Sequence, residues 1–133
     1  MMSLNGHFGE YNNCRLEVSG YKHMTHEEEK LQAQCTQWFH NTYPKHRKML
    51  FHVDNNSWNR IIGAKKKALG VCSGVTDLIL ILCGNVVFIE LKTLTGELSE
   101  EQIDFMEKVK SRNHLHIVIR TFESFKDLIT KLI

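Results

Sequence analysis

The sequence predicts an α/β domain whose mixed central sheet is flanked by helices, in the order α-β-β-β-α-β-α. Three observations carry this expectation. Two neighbouring runs, Leu78–Cys83 and Val86–Leu91, are rich in Val and Ile and are separated by Gly84-Asn85, a tight-turn signal. Both runs are apolar on both faces, so helices should cover each side of the sheet. Amphipathic helical patterns both precede and follow them.

The first helix is expected from about Thr25 to Tyr43, where Leu31, Cys35, Trp38 and Phe39 make one buried stripe and Pro44 lies just past the end. Lys48–Asp54 is a short strand candidate. Asn55–Gly74 reads as a long basic connection, a length that is often functional inside a compact domain. After the hairpin, Ser99–Arg112 reads as a helix with Phe105, Met106 and Val109 on one face. Leu115–Arg120 reads as a strand, and Phe122–Ile133 as a closing helix built on Phe122, Phe125, Ile129 and Leu132. Residues 1–22 carry weak signals: an irregular arm, or a short strand around Cys14–Val18.

At 133 residues the chain is one domain by length, and its 42% hydrophobic and 24% charged content is that of a globular protein. No apolar run approaches the roughly 18 residues needed to span a bilayer. The polar start, "MMSLNGHFGEYNN", has no apolar core of a secretory signal. Cys14, Cys35, Cys72 and Cys83 are far apart, which excludes C-x-x-C metal or redox motifs and points to a reduced, cytoplasmic protein. Cys35 and Cys83 sit in apolar patterns and read as small core residues. Between His40 and Gly74 lie seven cations (Lys45, Arg47, Lys48, Arg60, Lys65, Lys66, Lys67) against Asp54 alone. This local excess of +6 leaves −4 for the remainder of a chain whose net charge is +2. Such a segment suits a polyanion, or else is a solvated surface loop.

The oily stretch Gly74–Thr93 keeps three charges, Asp77, Glu90 and Lys92, and buried charges need a partner. With Gly84-Asn85 as the tip of the turn, Cys83 pairs with Val86, Ile79 with Glu90, and Asp77 with Lys92. Side chains alternate between faces, so all three charges share one face at the end far from the turn. Glu90 is then the diagonal neighbour of Asp77, about 7–8 Å away. Two carboxylates converging beside a lysine suit Mg²⁺ or Mn²⁺, hard cations that take oxygen ligands and keep waters. Such an ion acidifies a water and binds a phosphate oxygen, leaving the lysine to position the water or stabilise developing negative charge. The competing reading is a structural Asp77–Lys92 salt bridge.

Two more polar residues lie on inward stripes. Glu28 is in phase with Leu31 and Cys35, and Gln102 with Phe105, Met106 and Val109. Each also fits a capping box, Thr25-x-x-Glu28 and Ser99-x-x-Gln102, in which the side chain bonds back to the N-cap amide.

Together, "EEKLQ" at Glu28–Gln32, "GVTD" at Gly74–Asp77, "FIELKT" at Phe88–Thr93 and "GELSEEQIDF" at Gly96–Phe105 resemble the VRR-NUC branch of the PD-(D/E)XK nuclease superfamily. The resemblance spans about Thr25 to Phe125 and is most specific in Gly96-x-Leu98-Ser99-x-x-Gln102 after E-L-K-T. It implies a restriction-endonuclease-like α-β-β-β-α-β core; with the length of the chain, residues 1–133 then read as a single nuclease domain with residues 1–22 as an N-terminal arm. It further implies that Asp77, Glu90 and the Leu91 backbone carbonyl hold the Mg²⁺ or Mn²⁺, and that Lys92 is the catalytic lysine. Gln102 matches the family glutamine. Glu28 matches the acid of the first helix, and would serve a possible second metal site. The activity implied is hydrolysis of DNA phosphodiesters, selective for branched DNA of the four-way-junction type, by a homodimer. Arg60, Lys65, Lys66 and Lys67 would contact phosphates. Two positions depart from the family pattern: Thr76 stands where proline usually precedes the motif aspartate, and Asp54-Asn55 where Pro-Asn is usual.

A reading from another class is a non-catalytic DNA-binding or assembly subunit on the same fold. The presence of Asp77, Glu90, Lys92 and Gln102 together speaks against it. A serine or cysteine hydrolase is disfavoured, because no G-x-S-x-G elbow occurs and the histidines, all read as surface residues, have no partner pattern.

Overall fold

In a computed structural model of the chain, residues 25–55 and 59–133 are described. The proposed N-terminal arm of residues 1–22, with its strand around Cys14–Val18, lies outside them, as do His7 and His23.

Helix α1 spans His26–Thr42 and is capped by Thr25. A 3-10 turn, Pro44–Met49, follows and shortens the expected strand to β1, Leu50–His52. The long basic connection contains a helix that the sequence reading did not assign, α2, at Arg60–Ala68, whose N-cap Asn59 accepts the Ile62 amide at 2.9 Å. Then come β2 (Leu78–Ile81), β3 (Val86–Leu91), α3 (Glu100–Ser111), β4 (Leu115–Ile119) and α4 (Phe122–Leu132). The sheet order is β1-β2-β3-β4: β1 to β3 run antiparallel, and β4 joins β3 in parallel after the α3 crossover.

Each face of the sheet has its own cover. Leu78, Leu80, Val87, Ile89 and Leu91 point into the main core with Cys35 and Phe39 of α1 and Phe125 and Ile129 of α4. Burial there pushes the Cys35 thiol up to about 12, as expected for a thiolate deprived of water. On the opposite face Phe88 meets Phe105 of α3 edge-on, with ring centroids 5.3 Å apart.

The hairpin register differs from the expected one. Ile81 pairs with Val86, and the Leu82 amide donates to the Asn85 carbonyl at 3.0 Å, so Cys83-Gly84 forms the tip. Gly84 there has φ of +86°, which only glycine adopts without steric cost. Moving the tip by one residue shifts every cross-strand partner by two. Because side chains alternate with period two, the faces are preserved. Cys83, expected in the core, is instead an exposed turn residue.

One close approach fixes α3 to the strand entrance. Gly74, at φ +83°, sits so near the first turn of α3 that a Cβ would fall 2.2 Å from the Glu101 carbonyl oxygen. Gly74→Ala should therefore lower stability by about 2 kcal/mol or more. The check is the urea midpoint, and an unchanged midpoint would show that this contact is not constraining.

Candidate active site

The chain brings its chemistry to one end of the sheet. β2 starts there, β3 and β4 finish there, and α3 begins there. Extending the β2–β3 register one residue beyond Leu78↔Ile89 sets Asp77 opposite Glu90, in place of the expected Lys92. A hydrogen bond confirms this placement: the Leu91 amide donates to Asp77 Oδ2 at 2.7 Å. The Asp77 carbonyl in turn accepts the Val53 amide at 3.0 Å and His52 Nδ1 at 2.8 Å. A carbonyl only accepts, so Nδ1 is the donor in this bond. Asp77 is thus held by both neighbouring strands.

Glu90 is fully buried, and Asp77 and Lys92 expose only 5% and 7%. Burial of this depth strips water from all three groups, which therefore depend on one another and on their hydrogen bonds. Lys92 Nζ stands 4.0 Å from Glu90 Oε1. The Lys92 amide donates to the Ile119 carbonyl at 3.0 Å and continues the β3–β4 ladder.

Gln102 unites two readings that the sequence left open. Its Oε1 accepts the Ser99 amide at 2.9 Å and closes the capping box, while its Nε2 donates to Glu90 Oε1 at 2.9 Å. One amide caps α3 and orients a carboxylate. Glu28 is also buried, and Oε2 of its carboxylate accepts the Thr25 amide at 3.0 Å in the box that starts α1. Among the described residues no group of three or more His, Cys, Asp or Glu side chains is assembled as a metal site. The oxygen donors gathered here are therefore the Asp77 and Glu90 carboxylates, with the carbonyl of Leu91, the residue after Glu90. This set leaves most of a cation's coordination sphere to water and phosphate, as Mg²⁺ and Mn²⁺ sites do.

The cations assigned to DNA cluster on α2, in the β1–β2 connection that returns to the same end. Arg60, Lys65 and Lys67 are exposed, and Lys66 pairs with Asp54 at 3.5 Å. Asn55 donates to the Val75 carbonyl at 3.1 Å, tying this connection to the approach to Asp77. Thr76, in the usual proline position, is buried and donates its hydroxyl to the Leu78 carbonyl at 3.3 Å.

Two residues at this end carried no sequence signal as site residues: His52, and Arg120, whose guanidinium reaches the β3–α3 loop. A second histidine departs from expectation differently. His116, expected at the surface, is 6% exposed on β4, paired with Phe88 and 6.3 Å from the Phe105 ring.

A four-stranded mixed sheet with carboxylates, lysine and glutamine at one end, and helices on both faces, defines a restriction-endonuclease-like fold. The family model for the VRR-NUC domain matches residues 18–122, and the chain belongs to that family, a branch of the PD-(D/E)XK nuclease superfamily. A solved structure described as a VRR_NUC domain protein is similar in fold, with a TM-score of 0.68 at 20% identity, covering 84% of this chain and 90% of that one. Comparison with curated proteins returned no match. No helix among the described residues is long and apolar enough to cross a membrane.

His116 gives this face a pH dependence. Burial, and secondarily the Lys110 charge, hold its pKa below the ordinary 6.5. As pH falls through 6.5 the unfolded chain takes up a proton that the folded chain refuses, so stability drops until the folded pKa is reached. His116→Phe should remove this acid-side loss, so that the variant gains on wild type as pH is lowered from 7.5 to about 5 in urea titrations. Parallel stability curves would refute the assignment.

Proposed function

We propose that this protein is a Mg²⁺- or Mn²⁺-dependent DNA endonuclease, selective for branched DNA and active as a homodimer. The observation that carries the reading is the pair of buried, opposed carboxylates Asp77 and Glu90, with Lys92 4.0 Å from Glu90. Family membership supports the same reading.

Asp77, Glu90 and the Leu91 carbonyl would hold the cation, which when bound supplies Lewis acidity toward a phosphate oxygen and lowers the pKa of a bound water. Gln102 holds the Glu90 carboxylate in one orientation, so the donor pays little reorganisation on binding. Lys92, enclosed and near Glu90, donates hydrogen bonds to the attacking water and to the charge that accumulates on the phosphate in the transition state. The α2 cations Arg60, Lys65, Lys66 and Lys67 bind backbone phosphates and position the strand without reading sequence. A homodimer presents two such sites, which paired cuts across a four-way junction require. Glu28, which matches the family acid of the first helix, would supply a further carboxylate.

Linear, nicked, flapped and four-way DNA incubated with Mg²⁺, Mn²⁺ or EDTA should show metal-dependent cleavage strongest on the branched substrate. Asp77→Ala and Lys92→Ala should each reduce cleavage by about 100-fold or more while leaving DNA affinity nearly unchanged. Wild-type cutting by Asp77→Ala would end the proposal. Calorimetry separates it from a non-catalytic DNA-binding subunit, which would show no Mn²⁺ binding that depends on Asp77 and Glu90. Gln102→Ala should cost about 1 kcal/mol of stability through the lost cap. It should slow cleavage at saturating DNA further than that stability loss explains.

A further inference from the structure

The loop between β3 and α3 begins at Lys92 and has no regular structure until Glu100. Such a loop should be mobile unless something ties it down. Arg120, the first residue after β4, is what ties it. Its Nη1 donates to the Thr93 carbonyl at 2.7 Å and to the Gly96 carbonyl at 2.6 Å. The Thr93 carbonyl also accepts the Gly96 amide at 3.3 Å, closing a turn around the guanidinium. Both bonds to Nη1 are charge-assisted and short, and the group is partly buried, so they are stronger than ordinary loop hydrogen bonds.

The turn also bears on Lys92. A Cβ built on Gly96 would lie 3.0 Å from Thr93 Oγ1 and 3.5 Å from Lys92 Cδ. The Lys92 stem therefore runs along Gly96, whose carbonyl Arg120 grips. Extending the β3–β4 register by one residue beyond Leu91↔Ile119 sets Arg120 opposite Lys92. Two cations at opposed positions repel unless one is compensated. Here the two carbonyl dipoles compensate the guanidinium.

We propose that Arg120 is a positioning residue for Lys92: by clamping Thr93 and Gly96 it builds the wall against which the lysine stem lies, and so fixes where the ammonium acts. This rests on the nuclease reading for its catalytic consequence, though not for the clamp itself. A lysine displaced by about 1 Å loses on the order of 100-fold in rate while substrate binding is untouched.

The test uses Arg120→Met, Arg120→Lys and Gly96→Ala, with Asp77→Ala as control. Arg120→Met should slow single-turnover cleavage by about 30- to 100-fold. Its DNA affinity and Mn²⁺ affinity should stay within about twofold of wild type. Arg120→Lys, which keeps N–H donors, should recover part of the rate. Gly96→Ala, whose Cβ would press on Thr93 Oγ1 at 3.0 Å and so disturb the turn that the Lys92 stem lies against while leaving the guanidinium in place, should show the same split, so the proposal stays testable if Arg120→Met does not fold. Amide hydrogen exchange should rise at 93–97 in Arg120→Met while β2 and β3 stay protected. Two results would overturn the proposal. One is a rate loss matched by lost DNA affinity, which would make Arg120 a phosphate contact. The other is unchanged exchange at 93–97 in Arg120→Met, or a wild-type rate in both Arg120→Met and Gly96→Ala. Full activity of Asp77→Ala would instead fell the nuclease reading and leave the clamp to the exchange measurement.

Discussion

The hydrogen bond from the Leu91 amide to the Asp77 carboxylate is the constraint on which the rest of the active-site end depends. It closes the open end of the β2–β3 pair, where Asp77 lies just before the first residue of β2, Leu78. With that bond in place Asp77 stands opposite Glu90. The alternate residues Leu78, Ile89 and Leu91 stay locked in the core below. The driving force for the register is apolar burial on the core face; the carboxylates on the other face are carried to their positions by it. A displacement by one residue would move Asp77 and Glu90 into the core and Leu78 and Ile89 out of it, a change that burial energies make prohibitive.

The same economy recurs at α3. Helices leave their first amides unsatisfied, and a capping box meets that need with a side chain three residues in. Gln102 fulfils it with one end of its amide and orients Glu90 with the other. A glutamate could close the cap, but could not donate to Glu90 and would place a third carboxylate against it. The close seat of Gly74 on Glu101 holds the start of α3 against the approach to Asp77. Site geometry and helix initiation are therefore coupled here. At α1 the corresponding residue, Glu28, closes the cap by accepting the Thr25 amide.

Face was legible in the sequence, and register was not. Alternation along Asp77–Cys83 and Val86–Lys92 places the three charges together whichever tip is chosen, because a one-residue shift of the tip preserves parity. Which residue opposes Asp77 depended on the positive φ at Gly84, and neither Cys-Gly nor Gly-Asn announces that conformation. Helix α2 was missed because it has no apolar stripe to read: only Gly63 and Ala64 are buried, while Ile61 and Leu69 are exposed. His116 was misplaced because its polar neighbours Asn113 and His114 hid the strand alternation that turns it under α3. Arg120 ends an apolar strand in the manner of many surface arginines. Its role arises from a loop 24 and 27 residues away in sequence, beyond the reach of any local pattern.

The central claim is that Asp77 and Glu90 together form a divalent-cation site. Anomalous diffraction from crystals soaked in Mn²⁺ tests it most directly. The account predicts one strong manganese peak within about 2.5 Å of oxygens from both carboxylates, with waters completing the shell. A peak elsewhere on the chain, or none at this end of the sheet at saturating Mn²⁺, would contradict it.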